Sequence, residues 1–239
     1  MHDVAIYFER TAGSNLNGHR SGAKSQAESN GRGHGVRAVR HADGEDDLLY
    51  DELSQQRIET AVRQILGAVG EDPMRDGLIG TPGRVARMYH ELLEGYAKDL
   101  DRVINGALFD VDYDDGEMVT VADIPYTSLC EHHMLPFVGT AHVAYIPRDR
   151  VVGLSKIPRI VDMFAKRLQI QERLTNEIAG AIEAALDPQG IMVVVEGTHS
   201  CASLRGVKKH GVNMITTARR GLFREDVSLR DDFYRQIGR

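Results

Sequence analysis

Residues 117–146 read EMVTVADIPYTSLCEHHMLPFVGTAHVAYI, and this stretch decides the fold. Its two ends, residues 117–123 and 138–146, are rich in Val, Thr and Tyr, which predicts two β-strands. Pro147, Arg148 and Asp149 follow the second strand as turn residues. The segment between the strands contains Cys130-Glu131-His132-His133. The stretch therefore predicts a strand pair whose connection carries a thiol and two imidazoles.

Helical patterns lie on both sides of this strand pair. Upstream, apolar residues recur at helical spacing over residues 58–69, and Thr81-Pro82 opens a second helix as hydroxyl N-cap and first-turn proline, ending near Gly95. Downstream, Ser155 is a candidate cap for a helix with apolar positions through residue 168, and another helix covers residues 174–185.

The last third of the chain completes a second strand pair. Residues 187–190 (DPQG) end the preceding helix, residues 191–195 and 212–217 predict strands, and residues 229–237 predict a short final helix. Helices, two strands, two helices and two strands indicate an α+β fold with antiparallel strands covered on one face by helices. Residues 1–45 are rich in Gly, Ser, His, Arg and Asn, which predicts a variable, disordered tail.

Composition excludes several classes of function. The 239 residues carry a formal charge of -6, whereas a nucleic-acid-coating protein needs a basic surface. No segment has the length and apolar character of a membrane span, and residues 4–8 are too short and too acidic in context for a secretory leader. We therefore expect a cytoplasmic protein with no nucleic-acid or membrane partner.

The two cysteines are candidates for metal ligation. Cys130 and His133 have the C-x-x-H spacing, and Cys201 follows a predicted strand and is a candidate third ligand. Three protein ligands are typical of a catalytic zinc site that keeps a position for water. His132 and His199 lie near these ligands in the sequence. Each is a candidate for one of three roles: a fourth ligand, a proton carrier, or a hydrogen-bond partner that orients the ligands.

Two further clusters are candidates for substrate binding. Ser155 at a helix start, with Lys156, Arg159 and the later Arg205, suits an anion such as a phosphate chain, although a solvated surface helix has the same composition. Residues 169–173 (QIQER) place Glu172 at a helix start, where its carboxylate can accept two parallel hydrogen bonds from a planar base; an ordinary polar helix start has the same pattern.

From about Ile58 to the C-terminus, the sequence resembles the GTP cyclohydrolase I family. The resemblance is carried by six separated motifs in the same order: Thr81-Pro82-x-Arg84, residues 128–133 (SLCEHH), residues 153–156 (GLSK) with Arg159, residues 169–174 (QIQERL), Thr198-His199-x-Cys201, and residues 221–223 (GLF). It implies zinc-dependent hydrolysis of GTP to 7,8-dihydroneopterin triphosphate and formate, the first step of tetrahydrofolate and pterin biosynthesis.

The resemblance also implies roles for individual residues. Zinc would be bound by Cys130, His133 and Cys201, and His132 and His199 would transfer protons. Gln171 and Glu172 would grip the guanine of GTP. The residues that would hold the triphosphate are Ser155, Lys156, Arg159 and Arg205. The role of Glu131 stays open.

The family's architecture is a tunnelling fold, or T-fold: a four-stranded antiparallel sheet backed by two helices, with additional N-terminal helices. The resemblance places the N-terminal helical region at residues 46–115 and the catalytic domain at 116–239. It implies a homo-oligomer, a decamer of two stacked pentameric rings, with active sites at subunit interfaces.

Two other functions compete with this one. A zinc- and nucleotide-binding sensor on the same fold would need a closed metal site or lost proton carriers. A T-fold enzyme acting on a pterin or deazapurine is disfavoured by the cationic cluster at Ser155 and Lys156, because those substrates carry less anionic charge. The chain departs from the family pattern at residues 213–215 (NMI), where small hydroxyl residues are frequent.

Overall fold

The computed structural model describes residues 51–111 and 117–239. Its N-terminal part is helical and consists of α1 (Glu52–Ala68), α2 (Thr81–Leu92), a 3-10 turn (Glu94–Ala97) and α3 (Leu100–Ile104). Both helices expected from the apolar spacing are present. The predicted tail of residues 1–45 and both predicted domain boundaries lie outside the described residues.

A five-stranded sheet forms the centre of the fold. Its long strands are β2 (Val119–Cys130), β3 (Pro136–Ile146), β6 (Gly190–His199) and β7 (Asn213–Gly221), each antiparallel to its neighbour. The two-residue strand β5 (Leu168–Gln169) pairs in parallel with the end of β2, giving the order β5-β2-β3-β6-β7. A separate ribbon pairs β1 (Leu108–Asp110) with β4 (Arg150–Val152). The expected four-stranded antiparallel sheet is confirmed.

Helices cover the two faces of the sheet unequally. Helices α4 (Lys156–Ala165) and α5 (Gln171–Leu186) pack on one face and bury its main core, as expected for two helices backing a sheet. On the other face, α7 (Leu222–Glu225) and α8 (Val227–Gln236) bury a smaller cluster built around Phe223 and Phe233. A one-turn helix, α6 (Ser200–Ser203), follows β6 directly. Alternate residues of β3 and β6 supply the two clusters, because side chains along a strand point to opposite faces.

Strand β2 is longer than its sequence predicts. The pairing with β3 shifts between Val121 and Ile124, where Asp123 adopts a positive φ of 54°. The residues between Val121 and Ile124 form a β-bulge, and regular pairing resumes after it, so the strand continues to Cys130. Pro125 is tolerated because β5 reaches only Leu129 and Cys130, so β2 has no second strand partner at the proline within the described sheet.

Two predicted helix caps are wrong in detail. Gly80 occupies the N-cap position of α2, and Thr81 is already helical. Ser155 does occupy the N-cap position of α4, but it has αR backbone angles and its hydroxyl makes no capping hydrogen bond. An N-cap side chain reaches its backbone partners from an extended conformation, which Ser155 does not have.

The strand directions decide which residues share an edge of the sheet. Strands β2 and β6 both run antiparallel to β3, so Cys130 and His199 end at the same edge. Helix α4 begins at the opposite end, where Val152 donates a backbone hydrogen bond to the Tyr145 hydroxyl. Among the described residues, no helix combines the length and apolar character needed to cross a membrane.

Candidate metal centre and active site

The three expected metal ligands converge at one edge of the sheet. Cys130 is the last residue of β2, and a tight turn follows in which Met134 donates its backbone N–H to the Cys130 carbonyl at 2.7 Å. This turn carries His133 back beside Cys130, while α6 brings Cys201 from the end of β6. The ligand atoms of the three residues lie within 4.8 Å of one another.

The donor set fits a zinc ion. Tetrahedral zinc with Zn–S bonds near 2.3 Å and Zn–N bonds near 2.1 Å separates its ligand atoms by about 3.6–3.8 Å, so only a small contraction would be needed. Burial and the neighbouring Cys130 thiol raise the pKa of Cys201 above its usual value. A bound cation reverses that effect, because it stabilises both thiolates.

Neither neighbouring histidine completes the metal group. Within the part of the chain that the structure describes, Cys130, His133 and Cys201 form a group of three without His132 or His199. The exposed His132 ring places Nδ1 3.8 Å from Cys130 Sγ and Nε2 4.0 Å from Glu131 Oε1. The geometry thus favours a site with three protein ligands, a free fourth position and His132 beside it. The sequence had left this arrangement open together with one in which a histidine is the fourth ligand.

His199 is held from two sides. Its ring stacks on Phe137, with centroids 4.4 Å apart and an interplanar angle of 5°. Its Nε2 lies 2.9 Å from the side-chain oxygen of Gln171. Burial lowers the pKa of His199, although the nearby Glu172 carboxylate acts in the opposite direction. His199 is therefore a fixed, largely neutral imidazole near pH 7.

Gln171 uses its side chain for contacts within the protein. Its side chain is buried, and Nε2 donates to the carbonyl oxygens of Val195 and Met214 at 3.0 and 2.9 Å. These contacts use both N–H groups of the side-chain amide, and the guanine contact implied for Gln171 stays a prediction. Gly197 makes room for this amide, since a Cβ there would lie 2.7 Å from Gln171 Oε1.

The amide of Gln171 also determines the protonation of His199. Carbonyl oxygens only accept hydrogen bonds, so the Gln171 NH2 group must face Val195 and Met214, and Oε1 must face His199. His199 Nε2 consequently donates to Oε1. The second ring nitrogen, Nδ1, then carries the free lone pair.

Two of the predicted substrate residues lie close to this centre. Glu172 is exposed in the first turn of α5, near enough to influence the pKa of His199. Arg205 donates from its guanidinium to His133 Nε2 at 2.8 Å. Arg205 therefore lies beside a candidate metal ligand, and Glu172 lies near His199.

The remaining anion-binding candidates lie elsewhere in the chain. Ser155, Lys156 and Arg159 belong to the start of α4, whereas the end of α4 leads into β5, which pairs with Leu129 and Cys130. Ten helical residues span about 15 Å, so the start of α4 lies about that far from the end that leads into β5. Ser155 and Arg159 are exposed, and Lys156 is buried. The segment that leads into α4 therefore lies at the Tyr145 end of β3, and the metal ligands lie at its Pro136 end.

Sequence reasoning missed two side chains at the centre. Phe137 lies directly opposite His199 in the β3–β6 register, and Arg173 forms an ion pair with Glu131. The motif at residues 169–174 contains Arg173, but nothing in its spacing pointed to Glu131. Phe137 could be found only from the strand register.

Comparison with known proteins gives a consistent result. The sequence profile of the family described as GTP cyclohydrolase I matches residues 58–238. The GTP cyclohydrolase 1 of Synechococcus sp. (strain JA-3-3Ab) is 50% identical over 198 residues, which are 83% of this chain and 85% of that protein. The GTP cyclohydrolase 1 of Mycobacterium tuberculosis (strain H37Rv) is 54% identical over 180 residues, 74% of this chain and 88% of that protein.

Two further similarities complete the comparison. GTP cyclohydrolase 1 2 of Pseudomonas putida (strain KT2440) is 52% identical over 176 residues, 74% of this chain and 94% of that protein. The crystal structure of an archaeosine synthase QueF-like protein in the apo form matches 45% of this chain and 97% of its own chain at 21% identity, with a TM-score of 0.38.

Proposed function

The chain belongs to the GTP cyclohydrolase I family, and on this premise we propose that its metal centre binds zinc and hydrolyses GTP to 7,8-dihydroneopterin triphosphate and formate. The observation that carries the proposal is the convergence of Cys130, His133 and Cys201 beside an oriented His199. Hydrolysis opens the imidazole ring of GTP, releases C8 as formate and is followed by closure of a pterin ring.

The metal ligands suit this reaction. Zinc held by two thiolates and one imidazole would lower the pKa of a bound water molecule. It would thereby supply hydroxide near neutral pH as the nucleophile for C8. A sensor with a structural zinc would need a fourth protein ligand, and the described residues offer a group of three. The open site favours the enzyme over the sensor.

We assign proton exchange at His199 to its Nδ1 atom. Nε2 is occupied by its hydrogen bond to Gln171, and stacking on Phe137 prevents the ring from turning. A neutral imidazole with a free lone pair is ready to accept a proton as the ring of GTP opens. His132, more exposed and beside Cys130, is the second proton carrier in this scheme.

Two residues on the same chain would hold the nucleotide. The Glu172 carboxylate can accept two parallel hydrogen bonds from the N1 and amino groups of guanine. Arg205 would contact the triphosphate from the metal side. Together they would hold C8 of GTP next to the metal. Binding in this orientation lowers the entropic part of the activation barrier.

We further propose that a neighbouring subunit supplies Ser155, Lys156 and Arg159. The length of α4 keeps these residues away from the metal ligands of their own chain. Strand β7 and most of β2 have free edges within the described sheet, which suits lateral pairing between subunits into a ring. A decamer of two stacked pentameric rings is the assembly we propose.

The first experiment follows both products on the purified, metal-analysed protein. GTP is added, formate is measured enzymatically, and the rise of pterin absorbance is recorded with and without a zinc chelator. We expect both products to form together and to disappear on chelation. Tight GTP binding without formate would instead identify a sensor.

A further inference from the structure

Arg173 links the first turn of α5 to the turn that carries the metal ligands. Its Nε donates to the side-chain oxygen of Gln169 at 2.9 Å, and one of its terminal nitrogens donates to the Leu168 carbonyl at 3.2 Å. The same terminal nitrogen forms an ion pair with Glu131 Oε2, between Cys130 and His132 in the chain.

The partner of Arg173 on β5 is itself fixed. Gln169 is buried, and its amide nitrogen donates to the Phe164 carbonyl at 3.0 Å and to Glu177 at 2.7 Å. Its backbone carbonyl accepts from the Glu131 N–H at 3.0 Å. A guanidinium held at Nε and at a terminal nitrogen has little freedom left, so it presents a preorganised cation to Glu131.

Glu131 connects this cation to the active site. Its Oε2 pairs with Arg173, while its Oε1 lies 4.0 Å from His132 Nε2. On the other side of the ring, His132 Nδ1 lies 3.8 Å from Cys130 Sγ. Arg173, Glu131, His132 and Cys130 therefore form a row of neighbouring polar side chains, with contacts of 4.0 and 3.8 Å on the two sides of the His132 ring, that ends on a candidate metal ligand.

We propose that Arg173 is a positioning residue for His132, acting through the Glu131 carboxylate. With one oxygen held by Arg173, Glu131 keeps the other directed at Nε2 and so orients Nδ1 toward the metal side of the ring. His132 is exposed, and within the described residues its ring meets His133 edge to face at 6.3 Å instead of being stacked as His199 is on Phe137, which leaves the Glu131 carboxylate to orient it. The inference rests on the proposed cyclohydrolase function.

The test compares Arg173→Met, Arg173→Lys, Glu131→Gln and the double variant Arg173→Met/Glu131→Gln. Zinc content, KM for GTP and kcat for formate release are measured on each. We expect Arg173→Met to lower kcat by about 10- to 100-fold with KM and zinc content nearly unchanged, as for residues that orient metal-site groups. The double variant should lose no more than the single variants, because both remove the same connection.

Arg173→Lys distinguishes positioning from bulk charge. A lysine keeps the cation but cannot contact Gln169, Leu168 and Glu131 with one planar group. We expect it to restore part of kcat. The matched control is Arg220→Met, since Arg220 likewise pairs with one glutamate, Glu183 on α5, and donates to one backbone carbonyl, that of Asn176. It should keep the wild-type kcat.

Three outcomes would overturn the proposal. These are a kcat for Arg173→Met no lower than that of Arg220→Met, a loss of kcat matched by loss of zinc, or effects of Arg173 and Glu131 that multiply in the double variant. The wild-type protein separates this failure from failure of the proposed function. If the wild-type protein releases no formate, the proposed function is wrong. If the wild-type protein is active but any of the three outcomes is found, the proposed function stands and Arg173 does not position His132.

Discussion

Cys130 and Cys201 reach the metal centre from the ends of two different strands, separated by 71 positions in the sequence. At the scale of single residues, the metal ligands and the proton carriers have separable roles. Cys201 belongs to the group of three candidate ligands, whereas His199 lies outside that group and is held by Gln171.

We expect Cys201→Ala to abolish both zinc retention and formate release, because two remaining ligands cannot hold the ion in a tetrahedral site. His199→Ala should keep the zinc and lose turnover by at least about 100-fold, within the range for a general acid or base. Metal analysis after gel filtration and a formate assay measure the two effects. Normal zinc content in Cys201→Ala would remove that residue from the metal site.

Gln171 permits a second residue-scale experiment. Gln171→Glu replaces the buried NH2 group with an oxygen that cannot donate to the carbonyls of Val195 and Met214. We expect the free energy of unfolding to fall by about 1–3 kcal/mol for each unpaired carbonyl, and turnover to fall with the orientation of His199. Urea unfolding and kcat are the measurements.

The control for Gln171 is Gln189→Glu. Gln189 is only partly buried, and its side-chain amide donates to the Pro147 carbonyl at the far end of the sheet. Its substitution should leave turnover unchanged. Equal kcat values for the two variants would contradict the orienting role of Gln171.

At the scale of elements, several contacts tie the N-terminal helical part to the end of α4, and one of them is made by a carboxylate. Glu94 in the 3-10 turn pairs with Lys98 and with Lys166 after α4, and the backbone N–H of Gly95 donates to the Lys166 carbonyl. Burial raises the pKa of Glu94, but hydrogen bonds from Lys166 and Lys98 outweigh burial and lower it overall. The ionised form of Glu94 is thus favoured by folding.

This pKa shift predicts a pH-dependent stability. Because the folded pKa lies below the unfolded value, the contribution of Glu94 is present above the unfolded pKa near 4.5 and is lost as the pH falls through the lowered folded pKa. We expect Glu94→Gln to be less stable than wild type at pH 7 and equally stable once both states are protonated. Urea unfolding across this range is the measurement.

An exposed ion pair serves as the control for Glu94. Glu71 pairs with Arg75 within four residues and joins no separate elements. Its substitution by Gln should have little effect at pH 7, since exposed pairs contribute little. A Glu94→Gln protein as stable as wild type at pH 7 would show that the pair does not fasten the 3-10 turn to α4.

At the scale of the whole molecule, the separation of the two half-sites predicts complementation between subunits. Lys156→Met damages the anion-binding half at the start of α4, and Cys201→Ala damages the metal half. Each variant alone should be inactive. If every active site takes one half from each of two neighbouring subunits, randomly mixed oligomers should recover about a quarter of wild-type activity.

Complementation is measured after the two variants are expressed together and purified as mixed oligomers. A mixture of separately purified homo-oligomers, kept from exchanging subunits, is the control and should stay inactive. Mixed oligomers without activity would mean that one chain supplies both halves of its own site. A protein that is monomeric by light scattering yet active would contradict the shared site directly.

Much of the fold and site follows from local patterns in the sequence. Helices α1, α4 and α5 follow from apolar residues at helical spacing, and strands β3 and β6 from Val-rich runs, because these periods are properties of short segments. The C-x-x-H spacing also predicts that Cys130 and His133 lie together, because they are three positions apart in the sequence and one turn is enough to bring them into contact. The motifs also sufficed to recognise the family.

Other features depend on contacts between distant segments. The bulge that lengthens β2, the register that places Phe137 on His199, and the burial of Gln171 against Val195 and Met214 arise only when strands and helices pack. The direction of α4 separates Lys156 from Cys201, which no spacing in the sequence reveals. The sequence by itself determined which chemical groups this protein has, and the tertiary structure decided which of them meet, because register and helix direction are set by long-range packing.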